Sequence, residues 1–273
     1  MLHHRVAFTL FLVVLGTLAL VHSSRLGLKK IDAYSKGRYS VADNQVDSSG
    51  NIYILYHITT NFTIDSNTFT IPSSAFSSFV LVKYAPDGDT VLWAAGPTSS
   101  TTTTSVLAVN IRFTTDGVIV SASMLDGTLE IGTQTFTNVD TSIDGKEDVI
   151  VVKYNFNGNF QWATHVKGEG RGEVEETYIL PDNSVALVVF TQERTVSIGA
   201  TVLFTSVNFS ALRRYYYLLK LTAQGAFGWV QHMDNSDNRL KSSGVHNGYL
   251  YICGFIYSNQ TPRSLTLGGI TIS

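Results

Sequence analysis

From residue 24 onward the apolar side chains come in short runs. In the middle of the chain these are 118–124, 129–131, 135–137, 148–154, 160–166 and 174–180, separated at Asp116-Gly117, Asp126-Gly127, Asp144-Gly145 and Asn157-Gly158. Asp-Gly and Asn-Gly mark two-residue hairpins, because a type I′ turn needs positive φ at both central residues. The pattern predicts about four short antiparallel strands, with a shorter pair among them. Apolar residues at helical spacing are absent outside the first two dozen positions. In Val149-Ile150-Val151-Val152 and in 185–190 the apolar side chains fall on both faces, whereas a sheet wetted on one side alternates. Both faces of these strands are therefore expected to be covered.

The runs repeat. Phe79-Val80-Leu81-Val82-Lys83-Tyr84 is followed by Gly88 and Trp93; Val149-Ile150-Val151-Val152-Lys153-Tyr154 by Gly158 and Trp162; Tyr217-Leu218-Leu219-Lys220-Leu221 by Gly225 and Trp229. The lysines recur after 70 and then 67 residues, the tryptophans after 69 and then 67, and these are all the tryptophans of the chain. A second landmark runs Ser49-Gly50-Asn51-Ile52, Asp116-Gly117-Val118, Asp182-Asn183-Ser184-Val185 and Asn247-Gly248-Tyr249. A third lies at Ile64, Ile131, Ile198 and Leu267, with Gly132, Gly199 and Gly268 after the last three. Three landmarks with one period of about 67 residues describe a single β module copied along the chain. Four-stranded sheets that must cover both faces do so economically by stacking on one another, as propeller blades do. The fold class expected is all-β: a β-propeller-like array of about four blades of four antiparallel strands, possibly incomplete. The recurring tryptophan is expected to fill the wedge between blades.

Composition adds limits. Charged residues are 15% of the chain and the net charge is -2, so a basic surface for nucleic acid or an anionic membrane is not expected. Residues 1–23 read as a secretory signal peptide: Arg5, an uncharged apolar run over 6–21, then Ser23 and Ser24. The run is short for a bilayer span. The expected product is repeats over 24–273, secreted or at the extracellular surface, with no membrane span after leader removal. Cys253 is the single cysteine, so no intrachain disulfide is expected, and its apolar run reads as a buried thiol.

The Phe-Val-Leu-Val-Lys-Tyr strand at 79–84, the Gly88 turn, Trp93, and Asp47-Ser48-Ser49-Gly50-Asn51 before the next strand resemble the SBBP family of β-propeller repeats. The resemblance covers nearly all of the chain after the leader. It implies the blade fold and carries no catalytic set. The landmark at Gly50 occurs four times, the lysine and tryptophan set three times. Three explanations are open: the chain is a fragment of a longer propeller, residues 24–47 help close a ring of about four blades, or another chain completes it.

Chemistry is sparse. His165 and His232 each follow a repeat tryptophan by three residues, but Gly96 holds that place in the first unit, so a metal site is not expected. His57 and His246 have no evident partners. Glu173, Glu175 and Glu176 read as a solvated edge, and the 144–148 segment as a turn. Nucleophile-elbow, metal-helix and phosphate-loop motifs are missing. Asn61, Asn208 and Asn259 head N-glycosylation sequons, with Asn61 the best placed, between two strands; residues 99–105 read as a hydroxyl-rich surface loop. Arg213-Arg214 and Tyr215-Tyr216-Tyr217 form the most unusual edge and a candidate partner surface. The function expected is a binding or interaction scaffold for an unknown protein or glycan, without cofactor or catalysis. The alternative is a secreted propeller hydrolase or lyase with a site at the central channel.

Overall fold

The computed structural model describes residues 39–65, 67–69, 77–100, 104–125, 127–138, 147–168, 170–192, 195–205, 215–233, 239–246, 249–255, 265–267 and 270–272. All regular structure among them is β. The first unit contains β1 (Tyr39–Val46), β2 (Ile52–Ile58), a short hairpin of β3 (Phe62–Ile64) and β4 (Asn67–Phe69), then β5 (Ser78–Tyr84) and β6 (Val91–Ala95). A two-residue strand, β7 (Ser99–Ser100), follows. The second unit repeats the order with β8 (Ser105–Phe113), β9 (Gly117–Leu125), the hairpin β10 (Gly127–Ile131) and β11 (Gln134–Asn138), β12 (Glu147–Asn155) and β13 (Phe160–Gly168). The third has β14 (Gly172–Ile179), β15 (Val185–Thr191), the hairpin β16 (Thr195–Ile198) and β17 (Thr201–Thr205), β18 (Tyr215–Leu221) and β19 (Phe227–Met233). A fourth begins with β20 (Arg239–His246), β21 (Tyr249–Phe255) and the hairpin β22 (Leu265–Leu267) and β23 (Ile270–Ile272).

Each of the first three units forms an antiparallel meander in which the four long strands pair in chain order: β1-β2-β5-β6, β8-β9-β12-β13 and β14-β15-β18-β19. The short hairpin leaves this meander. In the third unit β16 pairs with β13, extending the second sheet to six strands. In the second unit β10 pairs with β7, and the fourth unit's β22 contacts β19. An outermost strand otherwise exposes unpaired backbone groups that invite aggregation. At β13 the next unit's hairpin supplies the missing partner.

The third landmark marks where these hairpins turn: β3, β10, β16 and β22 end at Ile64, Ile131, Ile198 and Leu267. Gly132 and Gly199 turn with φ of 61° and 57°, and in the first copy Asp65 takes a φ of 50°. Left-handed backbone favours glycine and, among other residues, Asp and Asn.

Stacking accounts for the doubly apolar strands. In β12, Ile150, Val152 and Tyr154 enter a core shared with Tyr53, Leu55, Phe79 and Leu81 of the first unit. Val149 and Val151, on its opposite face, enter a second core with Val185, Leu187, Val189, Tyr217 and Leu219 of the third unit. Likewise Val80, Val82 and Tyr84 of β5 face a third cluster with Ile52, Tyr56, Ile58 and Phe62. Burying each such side chain contributes about 1.5–3 kcal/mol, and a strand apolar on both faces collects that gain twice.

The first strands of the units lie together, β8 in contact with both β1 and β14. Each carries a bulge at the corresponding place, between Val41 and Asp43, Ala108 and Asn110, Val174 and Glu176, and Leu240 and Ser242. A bulge adds twist and re-aims the adjoining side chain.

Candidate functional site

The repeated residues build two kinds of tie. The lysine of each third strand is held by the aspartate at the turn before the second strand: Lys153 Nζ lies 2.7 Å from Asp116, Lys220 Nζ 2.9 Å from Asp182 and Lys83 Nζ 3.8 Å from Asp47. The hydrogen bonds and charge of Lys153 hold the Asp116 carboxyl below its ordinary range, while Ser184 and Lys220 do the same for Asp182. At Asp47 burial works upward, but hydrogen bonds from Asn51 and Ser49 and the charge of Lys83 outweigh it.

The second tie joins neighbouring units. Trp93 Nε1 donates to the Phe156 carbonyl at 2.9 Å, and Trp162 Nε1 donates to the Ala223 carbonyl at 3.0 Å. Each indole lies on the glycine two residues further on. A Cβ added to Gly158 would sit 2.7 Å from Trp93 Cδ2, and one added to Gly225 would sit 2.5 Å from Trp162 Cε3. Both glycines have positive φ, 82° and 79°. The turn residue is thus fixed by its own backbone and by the preceding unit's tryptophan. Gly88 also has positive φ, 74°. Trp229 is 43% exposed.

Polar groups that break the repeat gather in two places. Arg112 on β8 joins three units across their first strands: NH1 donates to Asp43 at 3.0 Å and to its neighbour's carbonyl, Ile111 O, at 2.7 Å. NH2 donates to Glu176 at 3.0 Å and Nε to Thr177 O at 2.9 Å. Asp43 also accepts from Ile111 N. Beneath it, the buried Ser121 and Thr177 hydroxyls share a hydrogen bond at 2.7 Å. With all three guanidinium nitrogens engaged, Arg112 acts as a clamp. Glu176, expected on a solvated edge, is instead half of this clamp.

The other cluster lies at the seam between the second and third units, where Glu147 bridges Arg171 in parallel. The first seam has the same bridge between Ser77 and Ser105, whose hydroxyls lie 2.6 Å apart. Charge has replaced a hydroxyl pair. Arg171 contacts Glu147 Oε1 at 3.4 Å and pairs closely with Glu173. Beside them His165 Nε2 lies 2.6 Å from Asp148 Oδ2, and Asp148 Oδ1 accepts from Gly168 N. The Phe136 ring packs edge-on against the imidazole. Glu147 is nine-tenths buried, and its Oε2 has no hydrogen-bond partner among the described residues. Burial and the neighbouring Glu173 push its carboxyl up to about 7, against the pull of Arg171. A His-Asp pair can serve as a general base when substrate reaches the imidazole. His165 is 7% exposed, which suits a seam fastener.

Other expected sites fall differently. His165 has an acidic partner rather than a histidine one, and no group of three or more metal-ligating side chains occurs among the described residues. The side chains of His232 and His246 lie outside the described residues, and burial lowers His57. Asn61 is exposed in the turn between β2 and β3; Asn208 and Asn259 lie outside the described residues, as do Arg213, Arg214 and the Tyr215 side chain. Within the tyrosine edge, Tyr216 and Tyr217 do not form an open surface. Tyr216 and Tyr217 are buried, packed edge-on against Phe190 and Phe204, because β18 is a central strand whose faces are both covered. Residues 99 and 100 of the hydroxyl-rich stretch pair with β10 rather than forming a loop. Cys253 lies on β21, opposite Ser242.

Arg112 and the Glu147–Arg171 pair escaped the sequence reading because each occurs once. The Lys–Asp tie left a signal, an aspartate about 36–38 residues before every repeat lysine. No helix among the described residues is long and apolar enough to cross a membrane. A search of protein-family models finds none that matches the chain, and a search of curated proteins finds no match.

Proposed function

We propose that the chain is a secreted β-propeller repeat protein of the SBBP type, working as a binding scaffold for an extracellular protein or glycan. The observation that carries this reading is how the recurrent chemistry is spent. Lysine, aspartate, tryptophan and glycine are consumed in ties within and between units, and the most polar unit-specific groups clamp seams. What differs freely from copy to copy is the set of loops between strands, which is where scaffold proteins recognise partners.

The stacking of three sheets, the second of them strapped by the next unit's hairpin, supports a ring. A closed ring of the 24–273 segment has a radius of gyration of about 18 Å by the scaling for compact chains; small-angle X-ray scattering measures it, and an open superhelix gives a larger value. Secretion is tested by expressing the full chain with its leader and sequencing the N-terminus of the product in the medium, where cleavage after Ser23 is expected. Binding is tested by screening that product on glycan and extracellular-protein arrays, with the His165→Ala variant alongside. Retention by both proteins supports a scaffold. Turnover of a substrate that His165→Ala abolishes overturns it.

A further inference from the structure

The turn after each third strand is built alike in the three units. The glycine N–H donates to the carbonyl three residues earlier, Gly88 to Ala85 at 2.9 Å, Gly158 to Asn155 at 3.0 Å and Gly225 to Thr222 at 2.9 Å. The residue before the glycine differs: Asp87, Asn157 and Gln224, each exposed. Of these, Asn157 alone carries a carboxamide one methylene from the backbone, the reach that closes a five-membered ring on the next amide nitrogen. Gly158 has no Cβ to obstruct that approach. Asn183 differs on both counts. Its Oδ1 accepts from Thr115 N at 3.0 Å, its Nδ2 donates to Thr115 Oγ1 at 2.7 Å, and Ser184 follows it. The second Asn-Gly pair, 247–248, lies outside the described residues.

The reaction needs only water. Gly158 N loses its proton to solvent and attacks Asn157 Cγ, the Cγ–Nδ2 bond breaks, and ammonia leaves. Water then opens the resulting succinimide at either carbonyl. Opening at Cγ gives an ordinary aspartyl residue, which the turn accepts, since Asp87 stands at that place before Gly88. Opening at the main-chain carbonyl gives an isoaspartyl residue, whose backbone is one methylene longer. The added length falls between the Phe156 carbonyl, which accepts from Trp93 Nε1, and Gly158, on which the same indole lies. Those two contacts cannot then be made together. The fold also restrains the first step. Gly158 N is committed to Asn155 O, and Trp93 pins the turn, so ring closure proceeds from the opened seam.

We propose that Asn157 is a site of spontaneous deamidation gated by Trp93, and that its isoaspartyl product unfastens the seam between the first and second units. The turn is then a one-way switch: opening of the seam permits the reaction, and the reaction keeps the seam open.

The test incubates the full chain at pH 8, then denatures and digests it with trypsin. Cleavage after Lys153 and Lys167 releases residues 154–167, and fragmentation mass spectrometry places the amide-to-acid mass gain. Conversion at Asn157 is expected, at least about tenfold slower than in a synthetic peptide of the same residues. Trp93→Phe keeps a ring and removes the N–H, and is expected to recover most of that difference, with circular dichroism confirming the fold. Sub-denaturing urea is expected to speed conversion in the parent, a reading that needs no substitution. Ion exchange separates the converted chain, and labelling by an isoaspartyl methyltransferase identifies the isoaspartyl fraction. There the Trp93 indole N–H is expected to exchange with solvent about tenfold faster than in the parent. Asn157→Asp is expected to leave that exchange unchanged, and Asn157→Gln, the residue type before Gly225, to stop the reaction. An Asn157 that stays intact in the folded chain, a conversion rate indifferent to both Trp93→Phe and urea, or an isoaspartyl form with the parent's Trp93 exchange overturns the proposal. These outcomes are independent of whether the arrays retain the chain, so the scaffold reading stands or falls separately.

Discussion

A glycine of positive φ has different consequences according to what lies above it. Gly158 and Gly199 both have left-handed backbone, yet Gly158 lies against the Trp93 indole whereas a Cβ at Gly199 meets nothing within 4 Å. Gly199→Ala is expected to cost about 1 kcal/mol, the backbone penalty alone. Gly158→Val adds a clash with an indole held by its own hydrogen bond and is expected to cost at least about 3 kcal/mol; urea unfolding of the two variants distinguishes them. Glu147 is the residue where charge and burial conflict. Its folded carboxyl titrates at about 7 rather than at the usual 4.5, so the folded state holds a proton that the unfolded chain has released. Its contribution to stability is therefore full below about pH 4.5 and declines as pH rises through 7. Glu147→Gln is expected to remove that decline, so melting temperatures at pH 5 and pH 8 differ less in the variant than in the parent. A single glutamate gives no hint of this in the sequence, because the effect arises from burial at the seam and from Glu173 folded against it from the next unit, with Arg171 pulling the other way.

Strands and hairpins were largely legible from the pattern. The alternation failed in 149–152 and 185–190 for a physical reason, a sheet stacked on both sides, and the Asp116-Gly117 and Asn157-Gly158 breaks fell between paired strands, although neither has the two positive φ values of the expected type I′ turn; Asp126, Asp144 and Gly145 lie outside the described residues. What the pattern did not reveal is that the third unit's short hairpin belongs to the second unit's sheet, since strand pairing across units leaves no trace in local periodicity. Its consequence can be measured. Replacing 195–205 by a two-residue turn bares the outer edge of β13, so the variant is expected to aggregate in static light scattering at concentrations where the parent is monodisperse. The third strands respond to acid. Asp116 and Asp182 have lowered carboxyl pKa values, so the stability they confer is present above the ordinary carboxylate range and is lost as pH falls through their folded values. Lys153→Met and Lys220→Met are each expected to flatten the acid limb of a stability profile while changing the unfolding free energy at pH 7 by no more than about 1 kcal/mol, because the aspartates they leave are solvated.

At the scale of the molecule, three sheets share two cores and are laced by Trp93 and Trp162 across successive seams, so unfolding is expected to spread from unit to unit. Trp162→Ala is expected to uncouple the third unit from the second, giving two transitions in calorimetry where the parent gives one. Period and module were readable because identical packing problems select identical residues; the Arg112 clamp and the Glu147 seam were not, because they occur at single junctions. The straps carry one more implication. Since β16 and β17 guard β13, the stretch of polypeptide copied as a repeat is offset from the body that folds. Chimaeras that exchange units at the repeat boundary would strip the second sheet of its guard, whereas a crossover just after β17 would keep that guard but part β14 and β15 from β18 and β19, so no single cut leaves both sheets whole.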